Sequence, residues 1–217
     1  MPRSYTVKEL FFTLQGEGAQ TGRAAVFLRF TGCNLWTGRE ADRGKGPGVC
    51  SQWCDTDFVG TNGPGGGRFS NAESLAEAVR DTWAAVDTPE SKYVVCTGGE
   101  PLLQLDGALI DALHAHGFSV AVETNGTLAA PAGVDWICVS PKGDAPLAQR
   151  HGHELKLVYP QENAQPERFE GLSFERFYLQ PLDGPEREMH TRAAIEYCKA
   201  HPRWRLSMQT HKTLNIP

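Results

Sequence analysis

No apolar run in this chain of 217 residues is long enough to cross a bilayer as a helix, which excludes a helical membrane span. The opening Met1-Pro2-Arg3-Ser4-Tyr5 lacks the apolar core of a secretory signal, so a cytoplasmic location is expected. Basic residues are scarce. Twenty-one Lys and Arg against 26 Asp and Glu leave a formal net charge of -5 and a sequence pI near 5.8. Such a chain has no broad cationic field for a phosphate backbone, and direct binding of nucleic acid is not expected. A pair of C-x-x-C knuckles, the common framework of a structural zinc site, is missing, and the stretch from Thr31 to Asp57 holds no histidine. A phosphate-binding P-loop is absent too: Gly38 to Lys45 is one residue too long, and Gly46 stands where Ser or Thr must follow the lysine.

What is present is a cluster of cysteines in one glycine-rich loop. Sixteen residues separate Cys33 from Cys50, three separate Cys50 from Cys54, and Asp55 and Thr56 follow at once. Three thiolates with no fourth ligand nearby suit an iron-sulfur cluster that leaves one iron open for a bound molecule. The same three thiols with a distant histidine suit zinc, so spacing alone leaves both open. Cys96, Cys138 and Cys198 lie in apolar stretches and read as small buried hydrophobes; in a reducing compartment no disulfide is expected.

The rest of the chain alternates strand-like and helix-like segments. Ala25 to Phe30, Tyr93 to Cys96, Ser119 to Val122, Trp136 to Val139, Leu155 to Val158, Phe177 to Leu179 and Trp204 to Met208 are β-prone runs. Ser70 with Glu73 forms a capping box that predicts a helix through about Val86, with Leu75, Val79, Trp83 and Val86 on one face. Leu109, Ile110 and Leu113 line a second helix stopped by Gly117, and a third is expected from about Glu186 to Ala200. Repeated β-then-α units favour a parallel sheet with ligands at the carboxyl ends of its strands. The chain is long enough for one sizeable core, so one domain over 1–217 is expected. It is too short for eight full units, which predicts an incomplete, open (β/α) barrel.

Several strands end in polar or glycine-rich motifs: Thr97-Gly98-Gly99-Glu100-Pro101, Glu123-Thr124-Asn125-Gly126 and Ser140-Pro141-Lys142. With Cys54-Asp55-Thr56, they resemble a radical S-adenosylmethionine enzyme. Leu14-Gln15-Gly16-Glu17-Gly18, Arg29 to Leu35 and Gln209-Thr210-His211-Lys212 narrow the resemblance to the 7-carboxy-7-deazaguanine synthase family, over residues 11–217. The cysteine spacing departs from it. Long-insert members are usually C-x14-C-x2-C, and the extra residue between Cys50 and Cys54 is expected to need a bulge.

The resemblance implies an open TIM-like barrel with a cluster loop over about 31–57 and a tail over about 209–217 that caps the substrate. It implies a carbon-nitrogen lyase that contracts 6-carboxy-5,6,7,8-tetrahydropterin to 7-carboxy-7-deazaguanine in queuosine biosynthesis. Cys33, Cys50 and Cys54 are then ligands of a 4Fe-4S cluster, and Thr56 a ligand of Mg2+. Trp53, Cys54, Asp55, Gly98, Gly99, Glu100, Glu123, Asn125, Ser140, Pro141 and Lys142 are expected around S-adenosylmethionine. Leu14, Gln15, Gly16, Glu17, Arg29, Thr97, Gln180, His211 and the carboxylate of Pro217 are expected around the pterin. No protein acid or base is assigned, since the cofactor carries the radical. A flavodoxin- or ferredoxin-class electron donor and a homodimer are implied. Many of these positions have plain structural readings beside the functional one: Arg29 in a salt bridge, Asn125 and Pro141 in capped strand ends, Trp53 in packing. The six histidines other than His211, among them His114, His116, His151 and His153, are expected at the surface. A glycyl-radical activase and a zinc-stapled binding module remain as rival readings.

Overall fold

The computed structural model describes residues 4–86 and 92–217; Met1, Pro2 and Arg3 of the opening segment lie outside the described residues. Its strands are β1 (Tyr5–Leu14), β2 (Ala24–Phe30), β3 (Gly67–Phe69), β4 (Tyr93–Gly98), β5 (Ser119–Thr124), β6 (Trp136–Val139), β7 (His151–Tyr159), β8 (Ser173–Pro181) and β9 (Trp204–Leu206). Its helices are α1 (Ala72–Thr82), α2 (Gly107–Ala115), α3 (Arg187–Ala200) and a short α4 (Thr210–Leu214) in the tail. The strands form one sheet in the order β3-β1-β2-β4-β5-β6-β7-β8-β9. β1 runs antiparallel to β2 and β3, and every pair from β2 to β9 is parallel. The order is linear with β3 and β9 at its two ends, so the sheet is an open TIM-like (β/α) barrel that never closes.

The parallel strands divide their residues between two interiors because side chains alternate with a period of two. Val94, Cys96, Val120 and Val122 face outward and pack with Leu75 and Val79 of α1 and Leu109, Ile110 and Leu113 of α2. Leu155, Leu157, Phe177 and Leu179 pack outward with Ala194 of α3 and Trp204. Full burial of each such side chain stabilises the fold by roughly 1.5–3 kcal/mol. The opposite face starts apolar, with Ala25, Tyr93, Val95 and Ala121. It turns polar towards the carboxyl ends, where Arg29, Thr97, Glu123 and Ser140 follow at two-residue steps. That change of polarity along each strand places the site.

Some expectations need correction. β1 and β3 were not foreseen; Phe11 of β1 stacks on Phe27 of β2 with ring centroids 5.5 Å apart. No helix intervenes between β5 and β6 or between β6 and β7, so the β-then-α repeat lapses in the middle of the sheet. α1 begins one residue later than the capping box implies: the Asn71 side chain, not Ser70, accepts from Ser74 N at 2.8 Å. The helix stops at Thr82 and leaves Val86 83% exposed. His190 is buried rather than at the surface, with Nδ1 2.9 Å from the Leu182 carbonyl. Cys96 and Cys138 are buried as expected, and Cys198 is half-buried. Among the described residues no helix is long and apolar enough to cross a membrane.

The cap assignment is directly testable. Asn71→Ala is expected to lower stability by about 1 kcal/mol, whereas Ser70→Ala stays within ~0.5 kcal/mol of wild type in denaturant titration.

Candidate active site

The polar carboxyl ends of the strands enclose a cavity of about 380 Å³. Cys33, Cys50, Cys54, Trp53, Asp55, Thr56, Gly98, Gly99, Asn125, Ser140 and Lys142 line one side of the expected set. Leu14, Gln15, Gly16, Glu17, Arg29, Thr97, Glu123, Gln180, His211 and Pro217 line it too. Two expected residues are not on its wall. Glu100 is fully buried, and its carboxylate accepts from Leu102 N at 3.0 Å, Thr124 Oγ1 at 2.8 Å and Asn125 N at 2.8 Å. It stitches the end of β4 to the end of β5 and does not reach the cavity surface. Burial pushes its carboxyl above the ordinary range, against those three donors. Pro141 is buried, and its carbonyl accepts from Gln161 Nε2 at 3.0 Å.

The cysteine loop sits on the glycine pair of β4. Gly98 has φ +144°, and a Cβ there would lie 2.9 Å from Phe30 N. A Cβ at Gly99 would meet Cys33 Cβ at 2.7 Å, and the backbone of Gly32 still closer. Glycine is required here by the loop's own chain, because any side chain would push Cys33 away. Glu100 N donates to the Gly32 carbonyl at 2.9 Å and Asn125 Nδ2 to Asn34 Oδ1 at 3.0 Å, so both strand ends hold the loop down.

The longer spacing needs no bulge. Val49–Gln52 forms a 3₁₀ turn, and Cys54 N donates to the Cys50 carbonyl at 2.7 Å. Cys54 lies just past that turn, tied back to Cys50 by this bond, and both cysteines line the cavity. The sixteen-residue insert is folded back on this turn. Gly48 N donates to the Leu35 carbonyl at 3.2 Å, and Gly44 N to the Ser51 carbonyl at 3.3 Å. Arg43 lies over the Trp36 ring at 4.7 Å and donates to the carbonyl of Cys54 at 3.3 Å. Burial pushes the Cys33 thiol up and Cys50 to about 11, the latter against a downward pull from Lys142.

The substrate-side residues form a second group. Arg29 Nε donates to Glu9 Oε1 at 2.7 Å, so the salt-bridge reading holds, but both partners stand in the cavity wall and are largely buried. Lys142 Nζ donates to Ser140 Oγ at 2.7 Å and lies 5.5 Å from the Trp53 ring. The tail closes one side. Thr210 N and Oγ1 both donate to the Gly16 carbonyl, at 3.0 and 2.9 Å. Thr13 Oγ1 donates to the Pro217 carbonyl oxygen at 3.0 Å. Lys212 Nζ bridges Asp55 and Asp183, at 2.6 Å each.

The sequence reading missed several wall residues. Lys8, held by Asp57 at 2.7 Å, Glu9, Lys156 and Asp183 all face the cavity. The only signal for Lys156 was a lysine inside the apolar run Leu155–Val158.

No protein-family model matches the chain. The 7-carboxy-7-deazaguanine synthase of Caulobacter vibrioides is 65% identical over 214 residues, spanning 99% of this chain and 100% of the relative. The chain belongs to the 7-carboxy-7-deazaguanine synthase family. Another member, from Bordetella pertussis, is 63% identical with the same coverage. The crystal structure of QueE from Escherichia coli has the same fold, with a TM-score of 0.69 and 29% identity over 94% of this chain and 93% of that one. Membership in the 7-carboxy-7-deazaguanine synthase family makes the chain a radical S-adenosylmethionine lyase, with an iron-sulfur cluster and S-adenosylmethionine as cofactors.

The residues present fit such a cluster. Three thiols reach one cavity from a single loop, beside a cationic Lys142 and an open polar space. Among the described residues, no three Cys, His, Asp or Glu side chains converge on one ion position. Cys33 and Cys50 both lie close enough to Cys54 to feel its charge, and all three line the same space, as a group held by several sulfurs requires. Burial raises both the Cys33 and Cys50 thiols, so binding a metal there would require release of their protons.

The cavity floor also sets a pH dependence. Burial alone raises the Glu17 carboxyl, but Lys156, by charge and hydrogen bond, and Gln209 and Gln180 bring it down from 4.5 to about 2. A carboxyl lowered by folding stabilises the protein above its unfolded value, and that stabilisation is lost as pH falls towards the folded value. Glu17→Gln is therefore expected to cost on the order of 2–3 kcal/mol in urea titration at neutral pH. The difference from wild type should shrink as pH falls from 4.5 towards about 2. A difference unchanged across that window would mean that Glu17 is not charged in the fold.

Proposed function

We propose that the chain converts 6-carboxy-5,6,7,8-tetrahydropterin to 7-carboxy-7-deazaguanine with loss of ammonia, in queuosine biosynthesis. The observation that carries this reading is that the three cysteines and Arg29 line one cavity, in a chain 65% identical to a 7-carboxy-7-deazaguanine synthase along its whole length. When bound, the cluster and S-adenosylmethionine supply one-electron cleavage of a carbon-sulfur bond, which starts the reaction by removing a substrate hydrogen. Cys33, Cys50 and Cys54 hold the cluster in this reading. Gly98, Gly99, Asn125, Ser140 and Lys142 surround S-adenosylmethionine, with Trp53 and Asp55 at its edge.

Arg29 grips the substrate carboxylate with its guanidinium, which Glu9 keeps oriented. Leu14, Gln15, Gly16, Glu17, Thr97 and Gln180 contact the pterin, joined by Glu123, which was expected around S-adenosylmethionine but shares Lys156 with Glu17; His211 and Pro217 close over it from the tail. Thr56 would supply an oxygen to Mg2+, a hard ion that would offer charge to the substrate carboxylate. The whole of 1–217 acts as one domain, in the cytoplasm, as a homodimer, with electrons from a flavodoxin- or ferredoxin-class protein. It has no direct contact with nucleic acid. The family assignment leaves the activase and zinc-module readings without support.

The test is anaerobic reconstitution with iron and sulfide, then incubation with the pterin, S-adenosylmethionine and Mg2+. The expected result is a brown protein that forms the deazaguanine and ammonia. A colourless protein with stoichiometric zinc, or cofactor cleavage without the deazaguanine, overturns the reading. Within that assay, Cys33→Ala, Cys50→Ala and Cys54→Ala are each expected to abolish cluster binding. Cys96→Ala, Cys138→Ala and Cys198→Ala retain it at a packing cost of roughly 1 kcal/mol. Iron content per chain distinguishes the two sets.

Arg29→Ala is expected to spare the cluster and lower pterin affinity by a factor of about ten to a hundred, as a charge-assisted carboxylate contact predicts. Unchanged pterin binding in calorimetry would return Arg29 to its ion pair with Glu9 alone.

A further inference from the structure

Lys156 is the most thoroughly buried cation of the cavity, with its side chain 4% exposed. The other cations around the space are engaged elsewhere: Lys8 with Asp57, Arg29 with Glu9, Lys142 with Ser140, and Lys212 with Asp55 and Asp183. Lys156 Nζ stands 2.5 Å from Glu17 Oε2 and 3.3 Å from Glu123 Oε2. Amide donors add to this: Gln209 Nε2 to Glu17 at 3.0 Å, with Gln180 also bonded to Glu17, and Gln15 Nε2 to Glu123 at 2.9 Å. Glu154, two residues before Lys156 on the same face, accepts from Ala19 N at 2.8 Å, and Cys138 adjoins it from β6. Glu17, Glu123, Glu154 and Cys138 are the titratable groups that face this ammonium.

We propose that Lys156 is a positioning residue that holds Glu17 and Glu123 as a charged pair of acceptors on the cavity floor, ready for the N–H edge of the substrate ring. The inference rests on the pterin reading above and adds a role for a residue outside it. A pterin presents adjacent donors, its 2-amino group and N3–H, and two charged carboxylates with lone pairs left beside their protein donors match that edge. Without the ammonium, two half-buried carboxylates lose the counter-charge they share, and one takes up a proton. The acceptor becomes a donor and meets the ring donor to donor. Raising the pH removes that proton and restores the match.

The experiment is anaerobic calorimetry of 6-carboxytetrahydropterin with cluster-loaded protein, wild type and Lys156→Met, between about pH 6 and pH 9. The expected result is an affinity loss of about tenfold or more at the acidic end that narrows as pH rises, with iron content unchanged. Wild type should vary little over the same range. Unchanged affinity in Lys156→Met overturns the proposal, and so does a loss that is the same at every pH, since that marks a packing role. Should Lys156→Met not take up iron, Lys156→Gln removes the charge but keeps a polar head, and it is read by the same two outcomes. Failure of wild type to bind the pterin would refute the substrate reading itself; wild-type binding with an indifferent variant refutes only the role of Lys156.

Discussion

The close passage of Gly98 and Gly99 beneath Phe30, Gly32 and Cys33 is the contact on which the site depends. Parallel pairing of β2 with β4 sets Phe30 opposite Gly98, and the lack of a Cβ lets the two chains come nearer than any other residue would allow. The cysteine loop then starts directly above the barrel mouth. Glu100 makes the arrangement cooperative: its amide holds Gly32 while its carboxylate holds Thr124 and Asn125, whose side chain reaches Asn34. One buried carboxyl thereby couples the ends of two strands to the loop that bears the first cysteine. Glycine and glutamate in this motif serve the chain's own architecture first, and cofactor access follows from where that architecture leaves the cysteines.

Charge is distributed just as unevenly. The outer face of the sheet is apolar and carries the helices, while the inner face collects Glu17, Glu123, Glu154 and Lys156 within one region. A buried ion pair is a weak source of stability, since desolvation offsets much of the attraction. Removing one partner alone would leave the other charge unpaired, so the pair is costly to break, and beside its amide donors each carboxylate keeps lone pairs that a ligand can use.

Strand ends were legible in the sequence because polar and glycine-rich residues interrupt β-branched runs there, and every such motif lies at a carboxyl end of the parallel sheet. Almost all of the expected wall residues accordingly meet at one cavity. Glu100 lies behind the cavity wall, and a carboxylate next to a glycine pair looks alike in sequence whether it faces a ligand or three backbone and hydroxyl donors. β1 escaped notice because Lys8 and Glu9 break its apolar pattern, and only the tertiary pairing of Lys8 with Asp57 and Glu9 with Arg29 explains them. The missing helices beside β6 had no signal, as loops of that length carry turn residues whether or not a helix is present. Lys156 was hidden for the opposite reason: one lysine in a strand carries no spacing pattern.

The cross-ties of the insert between Cys33 and Cys50 have a wider meaning. A free loop of that length would lose conformational entropy each time its ends were brought to a cofactor, and that loss grows only slowly with added residues. Here Gly48 to Leu35, Gly44 to Ser51 and Arg43 to Cys54 close the segment into smaller rings, so the span the cysteines experience is much shorter than the count of intervening residues. Ligand spacing in sequence and ligand spacing in space are thereby uncoupled. Residues can be gained or lost at the outer tip, around Glu40 to Asp42, without moving a sulfur, and a cysteine motif defined by a fixed count will overlook chains built this way.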